Sequence, residues 1–492
     1  MKDERLSHNL DKMFFPNTVA IIGASDVPGK WGFLLTSNIL GGGYKGKVLP
    51  VNPNKKSIMG LKVYNCLKDI PEDVDLAVIT IPANSLPSIL EDCIAKGIHA
   101  AVVITSGFSE VGNKGAELER RILEIASKGD LTFIGPNTMG IVSAHNNLVA
   151  VGAPLSPVEG GLGIISQSGN LGVQIIQWAM SKGIGVGIYA GTGNEALLKT
   201  TDILSYLGHR DEVKAIALYV EGIDDGRAFM ELARQITKVK PVITLKAGRT
   251  ATGSMAAKSH TGSMAGSFEV YSAVFKQAGV IQVDSPSELL SVAGAMSILP
   301  IPRGNRVGIM SLGGGWGVVT ADECEGAGLE IPTLSEDIIK DLDSKLPSFW
   351  NRANPIDLVG EPDPDLHIHA LNLLANWDKV DSIIALGIIG QTSFYRATLA
   401  NQERINGKRF RQETIDSIIK ARSDTEKRFL TEMARLQKKT SKPIIAISLG
   451  GDDAKFVNRI DGYGSVTTLS TPEEAVNIIK HMARYRRYLD NL

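Results

Sequence analysis

Cysteine is nearly absent from this chain: Cys66, Cys93 and Cys324 are the three in 492 residues. They stand far apart and form no C-x-x-C pair, which speaks against a disulfide framework and against a cysteine metal site, and fits a reducing cytoplasm. Histidine is scarce as well, with eight residues. No charge predominates: 52 Lys and Arg face 53 Asp and Glu, and a formal net charge of −1 offers no basic field to nucleic acid. Long apolar runs are also missing. No segment reaches the roughly 18 apolar residues of a membrane span, and "MKDERLSHNLDKMFF" is charged where a signal peptide would be apolar.

What the chain does have is glycine, 51 residues of it, and short apolar runs that stop at Gly, Pro, Ser or Asn before a helical pattern begins. "TVAIIGAS", "GKVLPVNPN", "DLAVITIPAN", "AAVVITSG" and "LTFIGPN" are of this kind. Apolar strands alternating with helices predict an α/β fold, a parallel sheet covered on both faces that binds ligands at its C-terminal strand ends. Residues 1–150 read as one such nucleotide-type domain. At roughly 100–200 residues per domain the length leaves room for about two more.

An internal repeat fills that room. "SQSGNLGVQIIQWAMSKGIGV" from Ser166 aligns without a gap to "SLGGGWGVVTADECEGAGLEI" from Ser311, and "VKAIALYVEGI", "KPVITLKAG" and "AGVIQVDSPSELL" find partners in the same order. Two related α/β units are predicted, 151–300 and 304–492. Each opens with a strand, a Gly/Ser turn and a helix, so the unpaired N–H groups of the helix start face a site the backbone can approach closely; this suits phosphate. The candidate phosphate residues are Ser166, Gln167, Ser168 and Gly169 in one copy, and Gly313, Gly314 and Gly315 in the other. A tight strand-to-helix turn explains either copy taken alone; the duplication argues for a ligand.

The copies differ where the first inserts a small-residue loop, Arg249 to about Ser267, around "KSHTGSMAG". His260 in this loop is a candidate nucleophile, because a neutral imidazole attacks phosphorus without a strong base. Glu221, at the end of "IALYVEG", is a candidate to hold the other ring nitrogen. The second copy has Ile389 in "LGIIG" at the corresponding place, so the carboxylate accompanies the histidine. A solvated strand-end glutamate is the competing reading. In the first domain, "IIGASDVPGKWG" lacks G-x-G-x-x-G, and the second strand ends in "PVNPN" without an acidic ribose ligand, so NAD is not expected. A different nucleotide, with phosphates near Gly23, Ser25 and Lys30, fits better.

These segments, together with "VNPN", "IGPN" and "NPIDLVG", resemble the nucleoside-diphosphate-forming acyl-CoA synthetase superfamily in colinear order over nearly the whole chain, and most of all the alpha subunit of its ADP-forming acetate-type members. The resemblance implies a Rossmann-like CoA-binding domain followed by two flavodoxin-like domains of the succinyl-CoA synthetase type. It implies that His260 is phosphorylated and steadied by Glu221, and that Gly23, Ser25, Lys30, Asn52, Pro53, Pro82, Thr105 and Asn137 lie in turns that contact coenzyme A. It further implies a partner beta subunit with an ATP-grasp domain that holds ADP or ATP with Mg2+, assembled as a heterotetramer, and a small carboxylic acid or acyl-CoA substrate. A CoA-binding regulatory protein, or a CoA-linked acyl or carbamoyl transferase on the same scaffold, is the alternative. One departure is the charged stretch 392–443, whose apolar positions Ile415, Ile418, Ile419, Phe429, Leu430, Met433 and Leu436 predict a long amphipathic helix.

Overall fold

The computed structural model describes residues 2–255, 267–406, 411–449 and 455–492. The chain divides into two compact units, Met1–Ser297 and Ile298–Leu492. The first holds two large sheets and the second holds one.

The first sheet is wholly parallel, with spatial order Lys47–Val51, Thr18–Ile22, Leu76–Ile79, Ala100–Val103, Thr132–Ile134. Alternation within each strand sends Val19, Ile21, Val78, Val102 and Ile134 into one core and Ala20, Ile22, Ala77, Ile79, Val103 and Phe133 into another. With both faces buried the strands must be apolar throughout, which is why they read as continuous runs. Numbered along the chain, the strands stand in the doubly wound order 2-1-3-4-5. The connection reverses between Thr18–Ile22 and Leu76–Ile79, so the crevice lies beyond Ile22 and Ile79.

The second sheet repeats this order with Leu162–Ser166, Val186–Gly191, Ala215–Val220, Val242–Lys246 and Ile281–Val283. An antiparallel pair, Gly140–Ser143 and Leu148–Val151, extends its edge beside Val186–Gly191. Ile165, Ile188, Ile216 and Leu218 share a core with Val19 and Ile21 of the first sheet, which makes the two sheets one body. The switch point here falls between Ser166 and Val220.

In the second unit the order recurs as Ile356–Asp357, Val307–Ser311, Ser382–Ile389, Ile444–Ser448 and Gly464–Leu469, with Val457–Ile460 added antiparallel at the edge. The repeat thus extends to topology, and to one bond: Ser166 Oγ donates to Ser168 O at 2.7 Å, and Ser311 Oγ donates to Gly313 O at 2.6 Å. Register corrects the partner of Glu221. Ser166 pairs with Tyr219 and Ser311 with Leu386, so the position two residues on from Leu386 is Ile388 rather than Ile389, which lies beyond a register shift. Both isoleucines are buried.

The stretch 392–443 forms two helices where one was expected, Gln391–Asn406 and the 29-residue Gln412–Thr440. Phe429, Met433 and Leu436 of the latter are buried, whereas Ile415, Ile418 and Ile419 are only half-buried. Among the described residues no helix is long and apolar enough to cross a membrane.

The entry to the third sheet is braced by Asp381, 3% exposed, which accepts from Arg306 Nε and Nη2 at 2.9 Å each and from the Arg306 backbone N–H at 3.1 Å. Asp381→Ala leaves the guanidinium without its fork partner, and thermal unfolding should show a loss of about 2–3 kcal/mol.

Candidate active site

The two switch points of the first unit open into one cleft of about 910 Å³. From the first sheet it is lined by Gly23, Ser25, Lys30, Asn52, Pro82, Thr105 and Asn137, and from the second by Gln167, Ser168, Gly169 and Glu221. Residues more than a hundred positions apart therefore share a site. Pro53 is exposed beside Asn52 and Ser166 is buried beneath the turn; neither lines the cleft.

The first turn is held by close backbone approach. Gly23 has φ +90°, its N–H donates to Val51 O at 3.1 Å, and a Cβ there would stand 2.3 Å from Thr80 O. Asn52 Nδ2 donates to Ala24 O at 2.9 Å, and Val27 N–H donates to Ser25 Oγ at 3.0 Å, closing the loop that leads to Lys30. Lys30 precedes the helix Trp31–Gly41, whose start carries no side-chain cap. Opposite, Thr105 Oγ1 donates to Ile81 O at 2.8 Å, and Asn137, at φ +58°, donates its N–H to Thr105 O at 2.8 Å. A lysine, an uncapped helix start and small side chains form a donor set suited to a phosphorylated ligand.

On the second sheet the helix Gly169–Lys182 also starts without a side-chain cap, with Ser168 before it. Gln167 is not the free donor expected of it. Its Nε2 donates to Gly222 O at 2.8 Å and to Glu195 Oε1 at 3.0 Å, while its Oε1 accepts from the N–H groups of Glu221 at 2.5 Å and Gly222 at 3.0 Å. Its own N–H donates to Tyr219 O at 3.3 Å. The side chain holds the turn that carries Glu221.

Glu221 is 7% exposed, and the Tyr219 hydroxyl hydrogen-bonds to it. Burial, then this carboxylate, pushes the Tyr219 phenol well above its ordinary value, so it stays a donor. Lys246, also buried, donates from Nζ to Glu221 O at 2.9 Å and to Ala247 O at 2.6 Å, with Nζ 4.6 Å from the centre of the Tyr271 ring. Desolvation lowers its amine, against the pull of Glu221. Across the cleft, burial would raise the Glu110 carboxyl, but Asn194 and the N–H of Gly107 hold it below the usual range.

His260 lies outside the described residues. Gly313 caps the helix Gly314–Gly326 in the second unit, but that start differs from its counterpart. A Cβ at Gly314 would stand 2.7 Å from Asp357 Oδ2, so a carboxylate lies close beside this helix start. The turn 192–195 and Lys199 were not anticipated from sequence, although Asn194, Glu195 and Lys199 line the cleft. "GTGNE" following an apolar strand was the available signal, a Gly/Asn turn at a C-terminal strand end.

Comparison with known proteins gives two family models, both within the first unit. Residues 17–144 match the family model for a CoA binding domain, and residues 159–296 match that for a succinyl-CoA ligase like flavodoxin domain. The chain is 42% identical over 381 residues to the ADP-forming acetate–CoA ligase II subunit alpha of Pyrococcus furiosus, covering 77% of this chain and 82% of that one. It is 34% identical to the ADP-forming acetate–CoA ligase I subunit alpha of the same organism, over 98% of both. A solved structure of the dinucleotide-forming acetyl-coenzyme A synthetase 1 of Ca. Korarchaeum cryptofilum, in complex with phosphate and ADP, superposes with a TM-score of 0.84 at 30% identity, over 98% of this chain and 99% of that one.

Gly23 gives the sharpest local test of the cleft. Gly23→Ala forces a Cβ against Thr80 O in a left-handed conformation, and denaturation should report a loss of about 3 kcal/mol.

Proposed function

The chain belongs to the family of ADP-forming acetate–CoA ligase alpha subunits, and from that membership we propose that it interconverts acyl-CoA, ADP and phosphate with a carboxylate, coenzyme A and ATP, together with a separate beta subunit. The observation that carries this reading is the single cleft that joins the glycine turn at Gly23 to Glu221 and the Ser168–Gly169 helix start. In functional terms 1–150 is the coenzyme A segment, 151–300 the phosphohistidine segment and 304–492 the second ligase segment.

Coenzyme A is held by Gly23, Ser25, Lys30, Asn52, Pro82, Thr105 and Asn137. The uncapped helix start after Lys30 and the lysine itself would meet its phosphates. A phosphate oxygen attacks the thioester carbonyl at the Ser168–Gly169 helix start, the acyl–sulfur bond breaks, and the thiolate leaves with acyl phosphate remaining. A ring nitrogen of His260 then attacks phosphorus, the P–O bond to the acyl group breaks, and the carboxylate departs. Glu221 accepts from the other ring N–H and stabilises the charge that develops on the imidazole. Two transfers through a covalent carrier connect reactants that never share one site. The phosphoryl group passes to ADP, held with Mg2+ on the ATP-grasp domain of the beta subunit, in a heterotetrameric assembly. The Gly313–Gly315 turn serves the phosphoryl group at its second position.

Calorimetry on the isolated chain tests the first half of the reading: coenzyme A should bind at micromolar concentration and NAD should not. Binding of NAD with no response to coenzyme A would overturn it.

Phosphoryl transfer has its own signature. With the beta subunit, labelled ATP and magnesium, the chain should take up an acid-labile, base-stable label. His260→Ala should abolish it, and Glu221→Gln should reduce labelling and turnover by about 10²- to 10³-fold while leaving coenzyme A affinity unchanged. Full labelling of His260→Ala, or ATP formation by the chain alone, would refute the assignment.

A further inference from the structure

The turn that follows Val186–Gly191 carries a backbone conformation its residue does not favour. Glu195 has φ +53° without being glycine, an arrangement that persists only where the surroundings over-determine it. They do so here. Asn194 Nδ2 donates to Ser109 Oγ at 3.2 Å, Glu110 Oε2 at 2.6 Å and Glu119 Oε2 at 3.2 Å, and Asn194 N–H donates to Pro136 O at 3.0 Å. Asparagine or glycine would occupy this conformation with less strain, so the glutamate is present for its side chain.

That side chain has one evident task. Its Oε1 accepts from Thr192 Oγ1 at 2.7 Å, from Thr200 Oγ1, and from Gln167 Nε2 at 3.0 Å. Both threonines are buried and supply donors that water cannot replace. The Gln167 amide thereby uses all its capacity: two hydrogens go to Glu195 and Gly222 O, and two lone pairs receive the N–H groups of Glu221 and Gly222. We propose that Glu195 is a positioning residue for Glu221, acting through the side-chain amide of Gln167. It fixes the backbone turn at Glu221–Gly222, and so the direction of a carboxylate that must meet a reacting group within a few tenths of an ångström. The inference rests on the reading of Glu221 given above.

Amide hydrogen exchange on the full chain tests it independently of turnover. In Glu195→Ala the Glu221 and Gly222 N–H groups should lose protection about tenfold or more, while strands of the second unit keep theirs. Glu195→Gln, whose carbonyl oxygen can still accept from Gln167 and from one of the two threonines, should recover most of that protection. In the complex with a beta subunit, Glu195→Ala should lower kcat about 10- to 100-fold with KM for coenzyme A changed by less than about threefold, and Glu195→Gln should restore most of kcat. Unchanged protection in Glu195→Ala would overturn the proposal. So would a Gln variant that keeps protection yet loses as much kcat as Ala, because Glu195 would then act on substrate itself. If Glu195→Ala does not fold, Thr200→Val removes one donor: a smaller loss at the same two amides supports the relay, and no loss overturns it. Absence of ligase turnover in the wild-type complex would defeat the functional reading, and the exchange result would still decide the positioning.

Discussion

The arrangement depends on one half-buried side-chain amide, that of Gln167. Parallel strands end with backbone groups that their own sheet no longer satisfies, and at the switch point of the second sheet these ends, Ser166 and Val220, must turn away in different directions. Gln167 bridges them, taking two N–H groups and one carbonyl from the turn after Val220. A hydrogen bond returns little net energy at a half-buried site, so the bridge is worth most as a constraint. It leaves the Glu221 turn little freedom relative to the helix that starts at Gly169.

The same constraint ties the site to its surroundings. Glu195 on the fourth position of the Gln167 amide belongs to a turn that presses on Pro136 and Asn137: a Cβ at Gly193 would lie 2.4 Å from Pro136 O. Asn137 lines the first-sheet side of the cleft and Glu221 the second-sheet side. The two halves are therefore connected through packed backbone, over which a displacement on one side is felt on the other.

Duplication has kept the scaffold and released the chemistry. The serine bond that closes the glycine turn survives in both copies, as does the 2-1-3-4-5 order. Around it the copies diverge in charge. The first places Glu221 at the end of Ala215–Val220, where the other copy has Ile388, and the second places Asp357 beside its helix start. Two helix starts of like geometry thus present different fields, and equivalence of fold does not carry equivalence of site.

Much of this was legible from sequence because its causes are local. An apolar run such as "VAIIG" must be buried on both faces, a Gly/Ser turn must precede a helix, and a repeat of such units must repeat its topology; each follows from neighbouring residues alone. The likeness of "SHTGSMAG" and "YVEG" to a known family added the chemistry to be expected. Tertiary structure alone brought the Gln167 amide to the Glu221 turn, moved the equivalence from Ile389 to Ile388, broke 392–443 into two helices, and brought Asn194 and Glu195 to the cleft. The physical reason is the same in each case. Which donor meets which acceptor is set by strand register and by the approach of turns distant in sequence, and the amide of Gln167 has no preference among partners until the fold delivers them.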